Sequence, residues 1–163
     1  MDWAESPRFE SFEATLIPLL QEGRVLGSPE TNFVVMEVRA EGGSPEAAHH
    51  LVPLHVHHMD DEAIFVLEGT LRIQLGDEVE TTPAGAGVFV PRGTPHTFWN
   101  PKNEPVRFLV VMAPRIFLLI QELNILPERT PEAVAKVYEK CESTMLEPLA
   151  AASAAEPSEQ PSL

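Results

Sequence analysis

Between residues 30 and 113 the apolar positions come in short runs of a length that suits strands. Thr31–Arg39 is rich in Val, Phe and Met and has no stripe at helical spacing. Ala63–Leu67 is continuously apolar, as in a strand buried on both faces. Leu71, Ile73 and Leu75 alternate with Arg72 and Gln74, the two-residue period of a half-buried strand, and Gly76-Asp77 then reads as a turn. Val88–Val90, Thr94–Trp99 and Val106–Met112 are further strands, punctuated by Pro91, Gly93, Pro95, Pro101 and Pro105. Short strands at this spacing predict an all-β core, a sandwich or barrel.

The pattern changes after Ala113. Pro114–Asn124 is apolar nearly all round, with Pro114 able to take the first helical position. Such a helix needs cover from the barrel or from a second subunit. Thr130-Pro131 is a helix start, with Thr as N-cap, Pro in the first turn and Glu132 near the positive end of the dipole. Val134, Val137, Tyr138, Cys141 and Met145 follow at helical spacing. Four zones result: an N-terminal strand and loop segment packing on the barrel (1–29), the barrel (30–113), C-terminal helices (114–147), and an Ala/Ser/Pro/Glu-rich tail (148–163) expected to be disordered.

Composition narrows the function classes. The chain has 163 residues, 44% of them apolar, enough for one domain with a core. No apolar run approaches the ~20 residues that span a bilayer. The start, MDWAESPRFE, has neither a basic region nor an apolar stretch, so a cytoplasmic protein is expected. A formal net charge of −14 argues against nucleic acid and anionic membrane as partners. Cys141 is the one cysteine, which excludes an intramolecular disulfide and a multi-cysteine zinc site.

All six histidines lie between positions 49 and 96. His55 and His57 are two apart, so on a strand they share a face, and His58 points away. Glu62 follows after the turn Met59-Asp60-Asp61. The segment GAGVFVPRGTPHTFWN (85–100) adds His96 between residues that force tight turns. Imidazoles and a carboxylate converging from adjacent strands suit one divalent Fe, Mn, Ni, Co, Cu or Zn ion. His49 and His50 read as loop residues. Phe98, two residues from His96, shares its face and is a candidate for lining a pocket.

These two segments resemble the two motifs of the cupin superfamily. The first motif is matched by His55, His57, Glu62 and Gly69, and the second by Gly85, Pro91, Gly93, His96 and Asn100. His49 stands where the family has a leading Gly. The resemblance implies a double-stranded β-helix, the jelly-roll barrel of the cupins, over residues 30–113. It also implies that His55, His57, Glu62 and His96 ligate one metal ion, with Gly69, Gly85, Gly93 and Asn100 at turns. The fifteen-residue spacer Thr70–Ala84 is similar to that of the shortest single-domain microbial cupins, and the helical tail resembles that of the quercetin-dioxygenase-like group.

What the resemblance implies about activity is a metal-dependent dioxygenase acting on a small aromatic or enolic substrate. Glu62 would be both ligand and general base. Two other readings stay open. One is a metal-dependent isomerase or lyase; for sugar phosphates it would need cationic side chains, for which Arg72 and Arg107 are the candidates on barrel strands. The other is a small-ligand-binding module without catalysis. Sheet edges and the apolar Pro114–Asn124 helix point to a homodimer.

Overall fold

The fold was analysed in a computed structural model that describes residues 17–19, 23–42 and 50–146. His49, most of the 1–29 segment and the tail expected over 148–163 lie outside the described residues. The strands are β1 (Ile17–Leu19), β2 (Gly23–Leu26), β3 (Val34–Ala40), β4 (His55–His57), β5 (Glu62–Glu68), β6 (Thr70–Leu75), β7 (Glu78–Pro83), β8 (Gly87–Val90), β9 (His96–Trp99), β10 (Val106–Met112) and β11 (Ser143–Met145). The helices are α1 (Pro114–Ile125) and α2 (Pro131–Lys140), between β10 and β11.

Two antiparallel sheets face each other, a six-stranded one ordered β1-β2-β3-β10-β5-β8 and a five-stranded one ordered β11-β4-β9-β6-β7. This is the expected all-β core. Strand β10 is central to the larger sheet, pairing with β3 on one side and β5 on the other. Its Val106, Phe108, Val110 and Met112 point inward, and Arg107, Leu109 and Val111 alternate with them. Leu71 and Ile73 of β6 and Ile64 and Val66 of β5 complete the same core, which α1 closes with Ile116 and Phe117. Roughly 2 kcal/mol per fully buried aliphatic or aromatic side chain makes this cluster the main source of stability.

Two local expectations, for Ala63–Leu67 and for Met145, are corrected, and one strand, β7, was not expected. Ala63–Leu67 is buried on one face only, with Phe65 44% exposed on the outer side of the six-stranded sheet. Strand β7, sequence EVETTP, has no apolar alternation to reveal it. It is an edge strand joined to β6 by the two-residue turn Gly76-Asp77, and its one buried residue is Thr82. Met145 belongs to β11 and not to a helix. Helix α2 starts as expected, with Thr130 Oγ1 accepting from Ala133 N (3.2 Å), but it stops at Lys140. Glu142 then adopts φ 50°, the one positive φ outside glycine among the described residues, and turns the chain back along β4.

Candidate metal centre

Strand β4 lies between β11 and β9, and His55 is the direct register partner of His96. The side chains of His55, His57 and His96 therefore project from neighbouring strands into the space between the sheets. Glu62, the first residue of β5, reaches the same point from the opposite sheet. Its approach is fixed by the preceding residue: Asp61 accepts from Arg92 N (2.9 Å), Nε (3.0 Å) and Nη2 (2.8 Å). That fork ties the turn before Glu62 to the turn before His96. The Gly93 amide donates to His57 O (2.7 Å), which joins the second turn to β4.

The four side chains are 5%, 3%, 5% and 0% exposed in the order His55, His57, Glu62, His96. Their ligand atoms all lie within 4.8 Å of one another, so the cluster could hold one metal ion. His55 Nε2 is 3.1 Å from His57 Nε2, and His96 Nε2 is 3.0 Å from Glu62 Oε2, which is 3.8 Å from His57 Nε2. Two ligands each ~2.1 Å from a common ion and at right angles are about 3.0 Å apart, so these separations have the size of a coordination shell.

The proton inventory points the same way. His55 Nδ1 faces Pro53 O at 2.8 Å and His96 Nδ1 faces Thr94 O at 2.9 Å; a carbonyl only accepts, so both Nδ1 atoms carry the hydrogen. His57 Nδ1 lies 2.8 Å from Ser143 Oγ, whose own hydroxyl hydrogen goes to Cys141 O (3.0 Å), so this Nδ1 donates too. A neutral imidazole has one N–H. The facing Nε2 atoms of His55 and His57 thus present two lone pairs to each other, which is not a hydrogen bond. Either a proton or a cation relieves that contact. Burial first, then the neighbouring histidines, push the His55 imidazole well below its ordinary pKa. Burial lowers that of His57 to about 4, against the pull of Glu62. At neutral pH the proton is disfavoured, and a divalent cation fits the donor set.

Glu62 also lines a cavity of about 450 Å³, with a mostly apolar wall containing Phe98, Phe108, Val52 and Ile120. Phe98 packs edge-on to Phe108 at 5.6 Å. Neither Arg72, which is exposed, nor Arg107, held by Glu37 (3.3 Å) and Glu68 (2.9 Å), lines this cavity. Arg39 is a further cation on a barrel strand that sequence reasoning passed over; it stands in the lining, paired with Glu41 at 3.4 Å.

His50 and His58 stay out of the cluster. His50 forms a bridge to Trp99 and its Nδ1 contacts Thr97 Oγ1 (2.9 Å), on the side of β9 opposite His96. His58 Nε2 meets Thr144 Oγ1 at 2.8 Å on the surface. Sequence reasoning missed Ser143 and Tyr138. Tyr138 of α2 lies edge-on to His55, ring centroids 5.8 Å apart, and burial together with the charge of Glu62 raises its phenol pKa. Helical spacing marked Tyr138 as core, and nothing in the pattern linked it to the histidines.

Residues 36–112 match the family model described as Cupin domain. A search among curated proteins returns no match. Among solved structures, a cupin protein from Bacteroides fragilis is similar at 17% identity and a TM-score of 0.50, over 63% of this chain and 86% of that one. A sugar phosphate isomerase from a cupin superfamily, from Silicibacter pomeroyi, is 27% identical with a TM-score of 0.46, over 56% of this chain and 59% of that one. A candidate sugar phosphate isomerase from Acidithiobacillus ferrooxidans is 21% identical with a TM-score of 0.45, over 51% of each chain. The chain thus spans between about half and three fifths of the length of these two isomerase structures. The family match and the two facing sheets give the cupin fold.

Proposed function

Starting from a cupin barrel, we propose that His55, His57, Glu62 and His96 bind one divalent transition metal, and that the protein is a metal-dependent dioxygenase for a small aromatic or enolic substrate. One observation carries the reading: three imidazoles with bare Nε2 atoms converge on one carboxylate, Glu62, which also lines an apolar cavity large enough for a small ring compound. When bound, the ion supplies a Lewis acid and, for a redox-active metal, electron exchange with dioxygen.

The chain's own residues supply the rest. Phe98, Phe108 and Ile120 exclude water from the reacting centre and hold a flat apolar substrate. Glu62 is in the cavity lining and accepts the proton of an enol or phenol O–H. A phosphate ester finds poor complementarity here, because the one cation among the described lining residues is Arg39, already paired with Glu41. The aromatic or enolic class is favoured over sugar phosphates on that ground.

The test is oxygen uptake by metal-loaded protein with flavonols and β-diketones. At saturating metal, Glu62→Gln should lower turnover by about 10²–10⁴-fold, the usual weight of a general base. Turnover without oxygen consumption would move the protein to the isomerase or lyase class. No turnover across these substrates, with metal confirmed, would leave the small-ligand-binding reading. We also propose a homodimer, supported by Phe89 on the β8 edge and Phe33 just before β3, each 60% exposed. A monomer in sedimentation at micromolar concentration would rule it out.

A further inference from the structure

The three histidines are oriented in two different ways. His55 and His96 each donate Nδ1–H to a backbone carbonyl two residues earlier in the chain, Pro53 O and Thr94 O. Those contacts are local and form with the turn itself. His57 has no such carbonyl. Its Nδ1 partner is Ser143 Oγ, 86 positions away on β11.

Ser143 is buried and its hydroxyl donates to Cys141 O at 3.0 Å, so toward His57 it can only accept. An acceptor at Nδ1 selects the tautomer that leaves Nε2 bare, and Nε2 is the atom that faces His55 and Glu62. The register that brings Ser143 opposite His57 also places Met145 opposite His55. Backbone bonds bracket it: His58 N donates to Glu142 O (2.9 Å) and Leu146 N to Leu54 O (2.8 Å). On the same unit, α2 sets Tyr138 against the His55 ring.

We propose that Ser143 is a positioning residue for His57, fixing its tautomer and ring orientation, so that the α2–β11 unit is part of the metal centre and not only a cover for the barrel. This rests on the reading of the four-residue cluster as a metal site. Partners of this kind are worth 10–100-fold in metal affinity elsewhere.

The experiment compares wild type with Ser143→Ala, Ser143→Thr and Thr144→Val, full-length and stripped of metal. Thr144 is the control, since its hydroxyl bonds His58 on the surface from the same strand. Cobalt(II) affinity and absorption spectrum are measured by titration, and His57 ring ¹⁵N shifts by NMR without metal. The expected result is about 10–100-fold weaker cobalt binding and an altered spectrum in Ser143→Ala. Affinity within about threefold of wild type is expected in Ser143→Thr and Thr144→Val. The metal-free His57 shifts should report a protonated Nδ1 in wild type and draw together in Ser143→Ala. Unchanged affinity in Ser143→Ala, or an equal loss in Thr144→Val, overturns the proposal. If wild type binds no cobalt, the metal reading fails; unchanged His57 shifts in Ser143→Ala then reject the positioning role separately.

Discussion

Acid should destabilise the metal-free protein through His57 in a pH window that the structure defines. The His57 side chain is 3% exposed, and burial is the largest cause that lowers its pKa, from 6.5 to about 4. In the unfolded chain the imidazole has its ordinary value. Between the two values the unfolded state binds more protons than the folded state, so stability falls as pH falls from about 6.5 to about 4, and levels off below. The gap is worth on the order of 3 kcal/mol, a large part of the ~5–15 kcal/mol that holds a domain of this size. His55 shifts in the same direction, but its Nε2 is 3.1 Å from that of His57, so a second proton enters against the charge of the first. The assay is urea unfolding of chelator-treated protein at several pH values from 7.5 to 4, for wild type and His57→Asn. Asparagine keeps a donor toward Ser143 and carries no charge at any pH. Carboxylates away from the cluster are shared by both proteins and cancel in the difference. Wild type should lose about 3 kcal/mol more than His57→Asn across the window. Parallel stability curves for the two would refute the reasoning.

Other substitutions separate causes that the same fold combines. Ala at Gly69 faces both φ +80° and a Cβ 2.8 Å from Pro105 O, whereas at Gly93 it faces φ +77° with open space around it. Gly93→Ala should cost about 1–2 kcal/mol and Gly69→Ala more, read from urea midpoints; equal costs would mean the close approach does not matter. Phe98→Ala should destabilise by about 3–5 kcal/mol, because it empties a buried edge-to-face contact with Phe108; a loss below ~1 kcal/mol would mean that the cavity wall collapses freely. Thr130→Ala removes the N-cap of α2 and should cost about 1 kcal/mol in the same assay; no loss would deny the cap a role.

Much of the barrel was legible because its strands bury one face. Val106, Phe108, Val110 and Met112 alternate with less buried residues, and the period shows in the sequence. Strand β7 was hidden because an exposed edge strand has no core face to encode, and β11 because three residues carry too little pattern. Met145 fell at helical spacing from Cys141, yet the left-handed Glu142 between them redirects the chain, a conformation that Glu does not advertise. The four clustered side chains were marked by spacing within two short segments, so they could be read without the fold. Ser143 and Tyr138 could not. Their relation to the histidines exists only through strand pairing for Ser143 and helix packing for Tyr138, each across more than eighty positions, and neither residue type singles itself out among serines and core aromatics.

The central claim is that the cluster of His55, His57, Glu62 and His96 is a metal site. Elemental analysis of purified protein, followed by titration of the chelator-treated protein with cobalt(II), tests it most directly. One divalent ion per chain is expected, with one-to-one rebinding and a loss of more than about 100-fold in affinity in His96→Ala, beyond the range seen for removal of a positioning partner. Protein that contains no metal and takes up none of cobalt, zinc, nickel, manganese, copper or iron would contradict it.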